Sequence, residues 1–579
     1  MAKNRTFDVR TLVQYELGPV PWAIATVDGG MVSTQKSKLL HALGKDSALR
    51  DHPPAGCCVV IDAMALLQAT PSPPPTFGAL SDQIFRQLLA NMVRSNASRV
   101  DFVTDRYWDI SIKQLERQKR TGQQDPLVIR AERRDQATPK EWKRYLSNGT
   151  NKTNLVQFLA TDWKTSEHFV SLLGTEKQVI ITVGTTCIQL AAPSLTATCL
   201  RATEIPELSC THEEADTRLL LHSAHATSHG FQSALICSPD TDVAVIAIGL
   251  STSINGQLVF KTGSAKKPEL VDISALSAKL GPAASEALIG LHAFTGCDSV
   301  SAFSGKGKKA ALELIKKDCA QAEAMAELGK SFNVDERLQG LCEVFLARLY
   351  GCASLSNIND VRFELLRNNS STPQNMPPSR DALRKHVLRA NYQAVVWRLA
   401  LQPSPEIPSP DGNGWRVSDQ GGLSIVWMEQ QAAPQDILKL VSCKCQTGCS
   451  TRRCSCRSQT LSCTDICQCK GCKNSFGTPS VPGQATLPQE LAVPEESEAA
   501  PAPPPAALAA EAEDFINLPI DAPEESEAAS APPPATLAAE AEDLTNLPTD
   551  EPSSSSDDSD PSEYATEDQE DSDPQSDFD

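Results

Sequence analysis

Four aspartates of this chain lie at or just beyond the ends of candidate buried strands. Asp62 follows residues 57–61, and Asp105 follows residues 99–104. Asp240 and Asp242 come after a run that starts at Leu235. Parallel strands present their carboxyl ends at one edge of a sheet, where α/β proteins bind their ligands. Carboxylates gathered at one edge cannot all stay ionised without cations, so the pattern predicts bound Mg²⁺ or Mn²⁺.

Three more acids stand in comparable places. Glu214 and Asp216 belong to residues 212–218, which open a helical pattern, and Asp298 lies in the loop of residues 294–299. Glu214 also has a purely structural interpretation, because Thr211 precedes it at the spacing of a capping box.

For Asp240 and Asp242 the alternative is an ordinary turn, since Asp and Pro are common turn residues. The number of acids placed in the same way along the chain favours a shared site.

A polar, basic stretch over residues 112–144 lies between these acids. Lys113, Arg117 and Arg120 are spaced to share one face of a helix. One interpretation is a solvated surface helix. The other is an arch that contacts nucleic-acid phosphates beside the acidic edge.

A glycine-rich turn follows Asp298. Gly305 and Gly307, with Lys308 and Lys309 directly after them, open the helical run at 310–317. Such a turn at a helix N-terminus leaves backbone N–H groups free to hold a phosphate. A plain connection between two helices would use the same residues.

The elements that must position the acids alternate along the chain. Strands are expected near residues 57–61, 99–104, 178–183, 234–238 and 256–260, and helices at 81–94, 154–169, 270–279, 284–293, 320–328, 334–350 and 380–399. Strand–helix–strand succession implies right-handed crossovers and a parallel sheet, so the predicted class is α/β. A small hairpin is expected at 415–427.

Nine of the 19 cysteines crowd into 30 residues near the end of the folded part of the chain. They are Cys443, Cys445, Cys449, Cys454, Cys456, Cys463, Cys467, Cys469 and Cys472. The segment has too few apolar residues to fold without metal or cross-links. Disulfides are the alternative, but nine cysteines would leave one unpaired. Three tetrahedral zinc ions need twelve ligand positions, which nine cysteines supply if three of them bridge.

Basic residues surround the cysteines: Lys444, Arg452, Arg453, Arg457, Lys470 and Lys473. A surface of this kind suits DNA, with Arg452 and Arg453 as candidate contacts.

The charge of the chain is divided unevenly. The net charge is −19, yet residues 474–579 hold 27 acidic groups and no Lys or Arg, which leaves 53 basic against 45 acidic groups, or +8, in residues 1–473. The acidic part contains a repeat of period 29 and a composition rich in Pro, Ala, Glu and Ser, which predicts disorder. The repeated pieces are either protein-partner motifs or a simple duplication. A basic body with an acidic tail suggests a protein that binds or processes nucleic acid.

No signal peptide and no apolar run of about 18–20 residues is visible, so we expect an intracellular chain with no membrane partner.

The seven acids, in their order and context, resemble the PIN-like nuclease domain of the flap endonuclease and XPG group. That resemblance covers about residues 57–320. It implies strand-end acids, a basic arch, a Glu-x-Asp pair, an Asp-x-Asp pair and a last Asp before a Gly-x-Gly turn. The implied activity is a two-metal phosphodiesterase, an endonuclease on DNA or alternatively RNA.

On this resemblance the acids divide into two ligand sets. Asp62, Asp105, Glu214 and Asp216 would hold one ion, and Asp240, Asp242 and Asp298 the other. Lys113 and Arg117 would orient the scissile phosphate.

The cysteine block resembles the CXC domain of tesmin-type and male-specific-lethal-type chromatin proteins, and Arg453 is closer to the second form. This implies three zinc ions, DNA binding and a nuclear location. The combination is similar to a group of animal proteins, and this resemblance implies an origin in mobile elements as one alternative.

The predicted organisation has five parts: an ordered N-terminal extension at 1–55 with no chemistry of its own, a PIN-like domain at 56–350, helices and a linker at 351–440, a CXC domain at 441–475 and a disordered tail at 476–579. The alternative function is a non-catalytic chromatin or DNA-binding protein, in which the CXC domain docks DNA, the nuclease-like fold is a scaffold and the tail recruits partners.

Overall fold

We describe a computed structural model of the 579-residue chain. It describes residues 9–474 except 71, 108–110, 113–126, 265–266, 369–374, 419–421, 435–441, 447, 459–461 and 464–466. These described residues all belong to one compact unit. Lys113, Arg117, Arg120 and the predicted tail lie outside the described residues. Within the described ranges, no helix combines the length and the apolar character needed to cross a membrane.

A nine-stranded sheet forms the centre of the fold. Its strands are β1 (Leu49–Arg50), β2 (Cys58–Asp62), β3 (Arg99–Val103), β4 (Gln178–Val183), β5 (Thr186–Ala191), β6 (Arg201–Glu204), β7 (Ser233–Cys237), β8 (Gln257–Ser264) and β9 (Lys267–Asp272). Their spatial order is β1-β9-β8-β7-β2-β3-β4-β5-β6. The five central strands, from β8 to β4, pair in parallel.

Both edges of the sheet are antiparallel, which differs from the parallel sheet expected. The consecutive strands β4, β5 and β6 form an antiparallel meander at one edge. At the other edge β9 pairs antiparallel with both β8 and β1. Gly184, in the turn between β4 and β5, has a φ of 59°, a conformation that suits a tight hairpin turn. The α/β class is therefore confirmed, and the sheet is mixed.

Helices cover the sheet and extend the chain beyond it. They are α1 (Val9–Leu12), α2 (Ser37–Ala42), α3 (Ala63–Gln68), α4 (Phe77–Arg94), α5 (Trp142–Ser147), α6 (Gly149–Thr165), α7 (His168–Leu173), α8 (Ala215–Ser228), α9 (Thr241–Leu250), α10 (Ile273–Leu280), α11 (Pro282–Phe294), α12 (Lys308–Lys317), α13 (Cys319–Glu327), α14 (Glu336–Leu349), α15 (Ile358–Arg367), α16 (Arg380–Arg398) and α17 (Ser455–Ser458).

The central strands are buried on both faces. In β2, Val60 packs in one hydrophobic core while Val59 and Ile61 pack in another. Side chains alternate between the two faces of a strand, so a strand covered on both faces needs apolar residues at every position. This explains the uninterrupted apolar runs from which the strands were predicted.

The N-terminal segment is part of the sheet. Strand β1 pairs with β9, and Arg50 donates to Asp272 at 2.6 Å. Buried Arg362 of α15 donates to the carbonyl oxygens of Val13 and Tyr15 at 2.7 and 2.8 Å. The segment, expected to be an ordered extension with no chemistry of its own, is thus fixed to two distant parts of the chain.

The remaining predicted elements differ mainly at their ends. The hairpin is confirmed as β10 (Trp415–Val417) and β11 (Leu423–Ile425). The helix expected at 270–279 was wrong at its start, because Leu270 lies in β9 and Asp272 caps α10 through a bond from Ala275 N–H at 2.9 Å.

Candidate functional site

Three neighbouring strands carry acids to one edge of the sheet. Asp62 is the last residue of β2, Asp105 lies two residues beyond β3, and Asp240 lies three beyond β7. Because β7, β2 and β3 are adjacent and parallel, these acids share the carboxyl edge, as the sequence predicted.

Asp62 is held in place by the helix that it starts. Its Oδ1 accepts from the N–H groups of Met64 and Ala65 at 2.9 and 3.1 Å, so it caps α3. Burial raises the pKa of Asp62 to about 7, and the charges of Asp105 and Asp240 contribute to the rise. Asp105 and Asp240 thus lie close enough to Asp62 to disfavour its charged form, which is the condition that attracts a cation.

A tighter cluster forms at the β7 end of this edge. Asp240, Asp242 and Asp298 each bring one carboxylate oxygen within 4.8 Å of the others. Asp240 caps α9 by accepting from Asp242 N–H at 2.9 Å, and Asp242 itself is only 2% exposed. We call these three residues the acidic triad.

Asp298 reaches the triad from a tight loop after α11. Gly296 in that loop has a φ of 106°, and a Cβ there would lie 2.7 Å from the backbone nitrogen of Ala302. Only glycine fits this turn without displacing the backbone.

The triad surrounds a lysine that sequence reasoning missed. The Nζ of Lys36 lies 3.6 Å from Asp240, 2.8 Å from Asp242 and 2.6 Å from Asp298. Burial alone would raise the pKa of Asp242, but Lys36 and then His292 hold it well below its usual range. Nothing in the sequence around Lys36 distinguishes it from an ordinary residue before a helix.

A buried histidine and a buried lysine stand behind the triad. The Nε2 of His292 lies 2.8 Å from Asp242 Oδ1. Lys308 donates to the carbonyl oxygen of His292 at 2.9 Å and to Thr295 Oγ1 at 3.0 Å. Burial lowers the pKa of Lys308 to about 7.

Lys308 was therefore wrongly assigned to the nucleic-acid surface, because it is 3% exposed and bonded inside the fold. The rest of the glycine-rich turn has the expected geometry. Gly305 has a φ of 70°, Gly307 caps α12, and Lys309 is exposed.

The second predicted ligand set consists of Asp62, Asp105, Glu214 and Asp216. Among the described residues, its carboxylate oxygens do not all come within 4.8 Å of one another, as those of the triad do. Asp105 Oδ1 accepts from Ala215 N–H at 2.8 Å, which places the start of α8 beside β3. The capping box is wrong, since Glu214, not Thr211, is the N-cap residue and its side chain makes no capping bond.

The acidic triad fits a hard divalent cation. Its ligand atoms are carboxylate oxygens, which Mg²⁺ and Mn²⁺ prefer. The ammonium group of Lys36 is in contact with all three carboxylates, so the space between them accommodates a positive charge. The triad can thus hold a divalent metal, in competition with Lys36.

The cysteines form a second candidate metal site. Three overlapping groups of four thiols lie within 4.8 Å: Cys443, Cys449, Cys463 and Cys469; Cys443, Cys445, Cys449 and Cys454; and Cys443, Cys454, Cys456 and Cys463. Each pair of groups shares Cys443 and one more thiol, which is Cys449, Cys454 or Cys463. This pattern agrees with a cage in which a few thiols bridge several ions.

The spacing of the thiols suits zinc. Cys443 Sγ lies 3.7 Å from the sulfurs of Cys449 and Cys463, and the Cys454–Cys463 distance is also 3.7 Å. A tetrahedral zinc with Zn–S bonds of about 2.3 Å separates its sulfurs by about 3.8 Å. The cluster can therefore hold zinc.

The remaining cysteines lie at the margin of the cage. Cys467 Sγ is 3.4 Å from Cys456 Sγ, and Cys472 accepts from Asn474 N–H at 3.3 Å. The basic residues around them are exposed, Arg452 and Arg453 included.

No protein-family model matches the chain.

Proposed function

We propose that this protein is a metal-dependent phosphodiesterase with a PIN-like fold that cuts nucleic acid. The observation that carries the proposal is the row of acids at the ends of β7, β2 and β3, with the acidic triad at one end of the row. A parallel sheet needs no such row for its own stability, and unneutralised carboxylates at one edge oppose folding.

The proposed chemistry divides the work between the bound metals and the side chains. Divalent ions at such a site activate water and stabilise the leaving oxygen of a phosphodiester. Asp240, Asp242 and Asp298 hold a cation, while Asp62 and Asp105 contribute charge at the adjoining strand ends. Once a metal takes the place of its ammonium group, Lys36 is available to a phosphate oxygen.

The cysteine cage supplies the second half of the proposal. With zinc bound it presents exposed Arg452 and Arg453 to a DNA backbone, in the manner of the CXC domains that it resembles. This makes the protein a nuclease that is held on DNA by a separate module, and a nuclear location follows.

The experiment is a cleavage assay on the full-length protein with Mn²⁺ and flap, hairpin and single-stranded substrates of DNA and RNA. The Asp240→Asn/Asp242→Asn variant keeps the capping oxygen of Asp240 but removes two charges. We expect it to lose at least 100-fold in rate, whereas Asp335→Asn, at the N-cap of α14, retains full activity. If wild type and double variant were equally inactive, the proposed nuclease activity would be contradicted.

A second function is favoured by one observation, the bonding of Lys36 to the whole triad. A resident ammonium group can neutralise the acids permanently, and the fold is then a scaffold that carries the DNA-binding cage. In that case wild type and double variant bind duplex DNA equally and neither cuts it.

A further inference from the structure

Asn474, two residues after the last cysteine, makes three hydrogen bonds inside the cysteine cage. Its backbone N–H donates to Cys472 Sγ at 3.3 Å, and its carbonyl oxygen accepts from Cys463 N–H at 2.6 Å. Its side-chain amide nitrogen donates to Cys463 Sγ, also at 3.3 Å. One asparagine thus contacts two of the cysteines through both its backbone and its side chain.

The segment that carries Asn474 is also fixed to the first part of the cage. Lys470 N–H donates to Cys445 O at 2.9 Å, and Lys473 N–H donates to Gly448 O at 2.7 Å. Asn474 therefore reaches into the cage from a backbone that is already held in place. A side chain that starts from a fixed backbone loses little entropy when it makes its contact.

Cys463 is a position where a bridging thiolate is expected. It belongs to two of the three four-thiol groups, and its Sγ lies 3.7 Å from the sulfurs of Cys443 and Cys454. A thiolate sulfur that bridges two metal ions still has a lone pair that can accept a hydrogen bond. The amide of Asn474 supplies that bond.

The contact needs the amide nitrogen of Asn474, and not its oxygen, to face the sulfur. A zinc-bound thiolate is negatively charged and can only accept, so an oxygen at this place would be repelled. Hydrogen bonds from such neighbours orient metal ligands and draw charge from their donor atoms. Asn474 has the geometry of a residue of this kind.

We infer that Asn474 is a positioning residue of the zinc cage. Its side-chain amide orients Cys463 as a bridging ligand, and its backbone N–H orients Cys472 as a terminal ligand beside it. Asn474 contacts sulfur and not metal, so it acts through these two cysteines. The inference rests on the zinc cage of the proposed function, and it does not depend on nuclease activity.

The test compares zinc release from full-length wild type, Asn474→Leu and Asn474→Asp. Both variants keep the approximate size of the side chain and both backbone bonds. Leucine removes the N–H donor, and aspartate places a negative oxygen against the sulfur. Release to the colorimetric chelator pyridylazoresorcinol should be about tenfold faster from Asn474→Leu, as is usual when a partner that orients a metal ligand is lost. It should be faster still from Asn474→Asp.

Cobalt substitution provides a readout that a purely structural contact would not change. Co²⁺ in place of zinc absorbs light through charge transfer from the thiolates. Loss of the N–H···S bond raises the energy of the sulfur electrons, so this band should shift to longer wavelength in Asn474→Leu. Asn474→Gln keeps an amide on a longer side chain, and it should restore part of the wild-type band and of the wild-type release rate.

Asn368→Leu is the matched control, since Asn368 is exposed and directly follows α15. It should release zinc at the wild-type rate. Equal release from wild type and both Asn474 variants, or faster release without a shift of the cobalt band, would refute the role of Asn474 and leave the zinc cage standing. A wild-type protein that holds no zinc would overturn the cage and this inference together.

Discussion

The ammonium group of Lys36 takes the place that a metal ion would take among three carboxylates. The contact with Asp242 joins residues 206 positions apart, and Asp242 is almost fully buried. Removal of a cation that pairs with a buried carboxylate is strongly destabilising. We therefore expect Lys36 to stabilise the protein without metal, and a divalent ion bound at the triad would have to displace these contacts.

Replacing Lys36 by methionine should separate these two effects. Without metal we expect Lys36→Met to lower the free energy of unfolding by about 2 kcal/mol, the size of a charge-assisted hydrogen bond. With Mn²⁺ the variant should gain more stability than wild type, because the ion has no ammonium group to displace. Thermal unfolding with and without Mn²⁺ measures both.

The neighbouring Lys38→Met is the control, since Lys38 is exposed two residues further on. A Lys36 variant that is no more responsive to Mn²⁺ than Lys38→Met would mean that the triad does not bind this ion.

The acids of the site were predictable from the sequence, whereas their positive partners were not. Asp62 and Asp240 stand where apolar runs end, and this local pattern needs no tertiary information. Lys36 and His292 meet the triad only because the chain folds back on itself. Lys308 was misassigned because a lysine in a glycine-rich turn is usually exposed, and its burial depends on how α12 packs.

At the scale of helices, α11 is the central element of one core. It contacts α13 at Gly290, where a Cβ would collide with the carbonyl oxygen of Met325 and lie 2.9 Å from Leu328 Cβ. The two helices approach this closely because position 290 has no side chain. Asp298 and His292 depend on this packing, since both are positioned by α11.

Gly290→Ala should therefore destabilise the protein by about 3 kcal/mol, as overpacking of a tight core does. Gly340→Ala, in α14, has the opposite expected sign. A Cβ at position 340 meets no atom within 4 Å, so the change should stabilise by about 0.5–1 kcal/mol through helix propensity. Urea unfolding of both variants tests the pair, and equal effects would contradict the close approach at Gly290.

A histidine between helices should make stability depend on pH. His386 of α16 is fully buried, and its Nε2 lies 2.8 Å from Phe294 O. Burial, and then the charge of Arg389, lower the pKa of His386 to about 3. In the unfolded chain histidine has a pKa of about 6.5. The unfolded state therefore binds a proton between these values and the folded state does not.

Stability from this group is fully present above pH 6.5 and is lost as pH falls toward 3. The expected slope is about 1.4 kcal/mol per pH unit. His386→Gln should reduce the pH slope of stability by about this amount between pH 6 and pH 4, and the slopes due to the other buried histidines with lowered pKa values, His212 and His292, should remain. Urea unfolding at pH 7.5 measures the separate packing cost of the substitution. A slope that is the same as in wild type would mean that His386 does not contribute to it.

Strands in the centre of the sheet were easier to predict than those at its edges. β2, β4 and β7 are buried on both faces and read as continuous apolar runs. β6 and β9 are mostly exposed at their outer ends and carry polar residues, so they lack that signal. Strand β1 is two residues long, and only its pairing with β9 identifies it.

At the scale of the whole molecule, we expect the cysteine cage to be a separate source of stability that depends on metal. Within the described residues its buried cluster consists of cysteines, so the proposed zinc ions, and not a hydrophobic core, would hold the segment together. Nine thiolates and three zinc ions would leave a net charge of −3, which the six surrounding basic residues offset.

Metal analysis of the full-length protein should give about three zinc ions per chain, and a value near zero would refute the cage. Cys445 belongs to one of the three four-thiol groups and Cys449 to two. We therefore expect Cys445→Ser to lose about one zinc ion and Cys449→Ser to lose about two. Equal losses would show that Cys449 does not bridge.

The pairing of β1 with β9 also has a consequence for the folding of this protein during its synthesis on the ribosome. Arg50 must find Asp272, which is made 222 residues later. At a synthesis rate of about 5–20 residues per second, the N-terminal segment waits roughly 11–44 s for its partner strand. Lys36 waits for a comparable time, because Asp240 and Asp298 are made 204 and 262 residues after it. The emerging chain thus carries an unpaired edge strand and an unmatched lysine, and during that interval chaperone capture competes with native pairing.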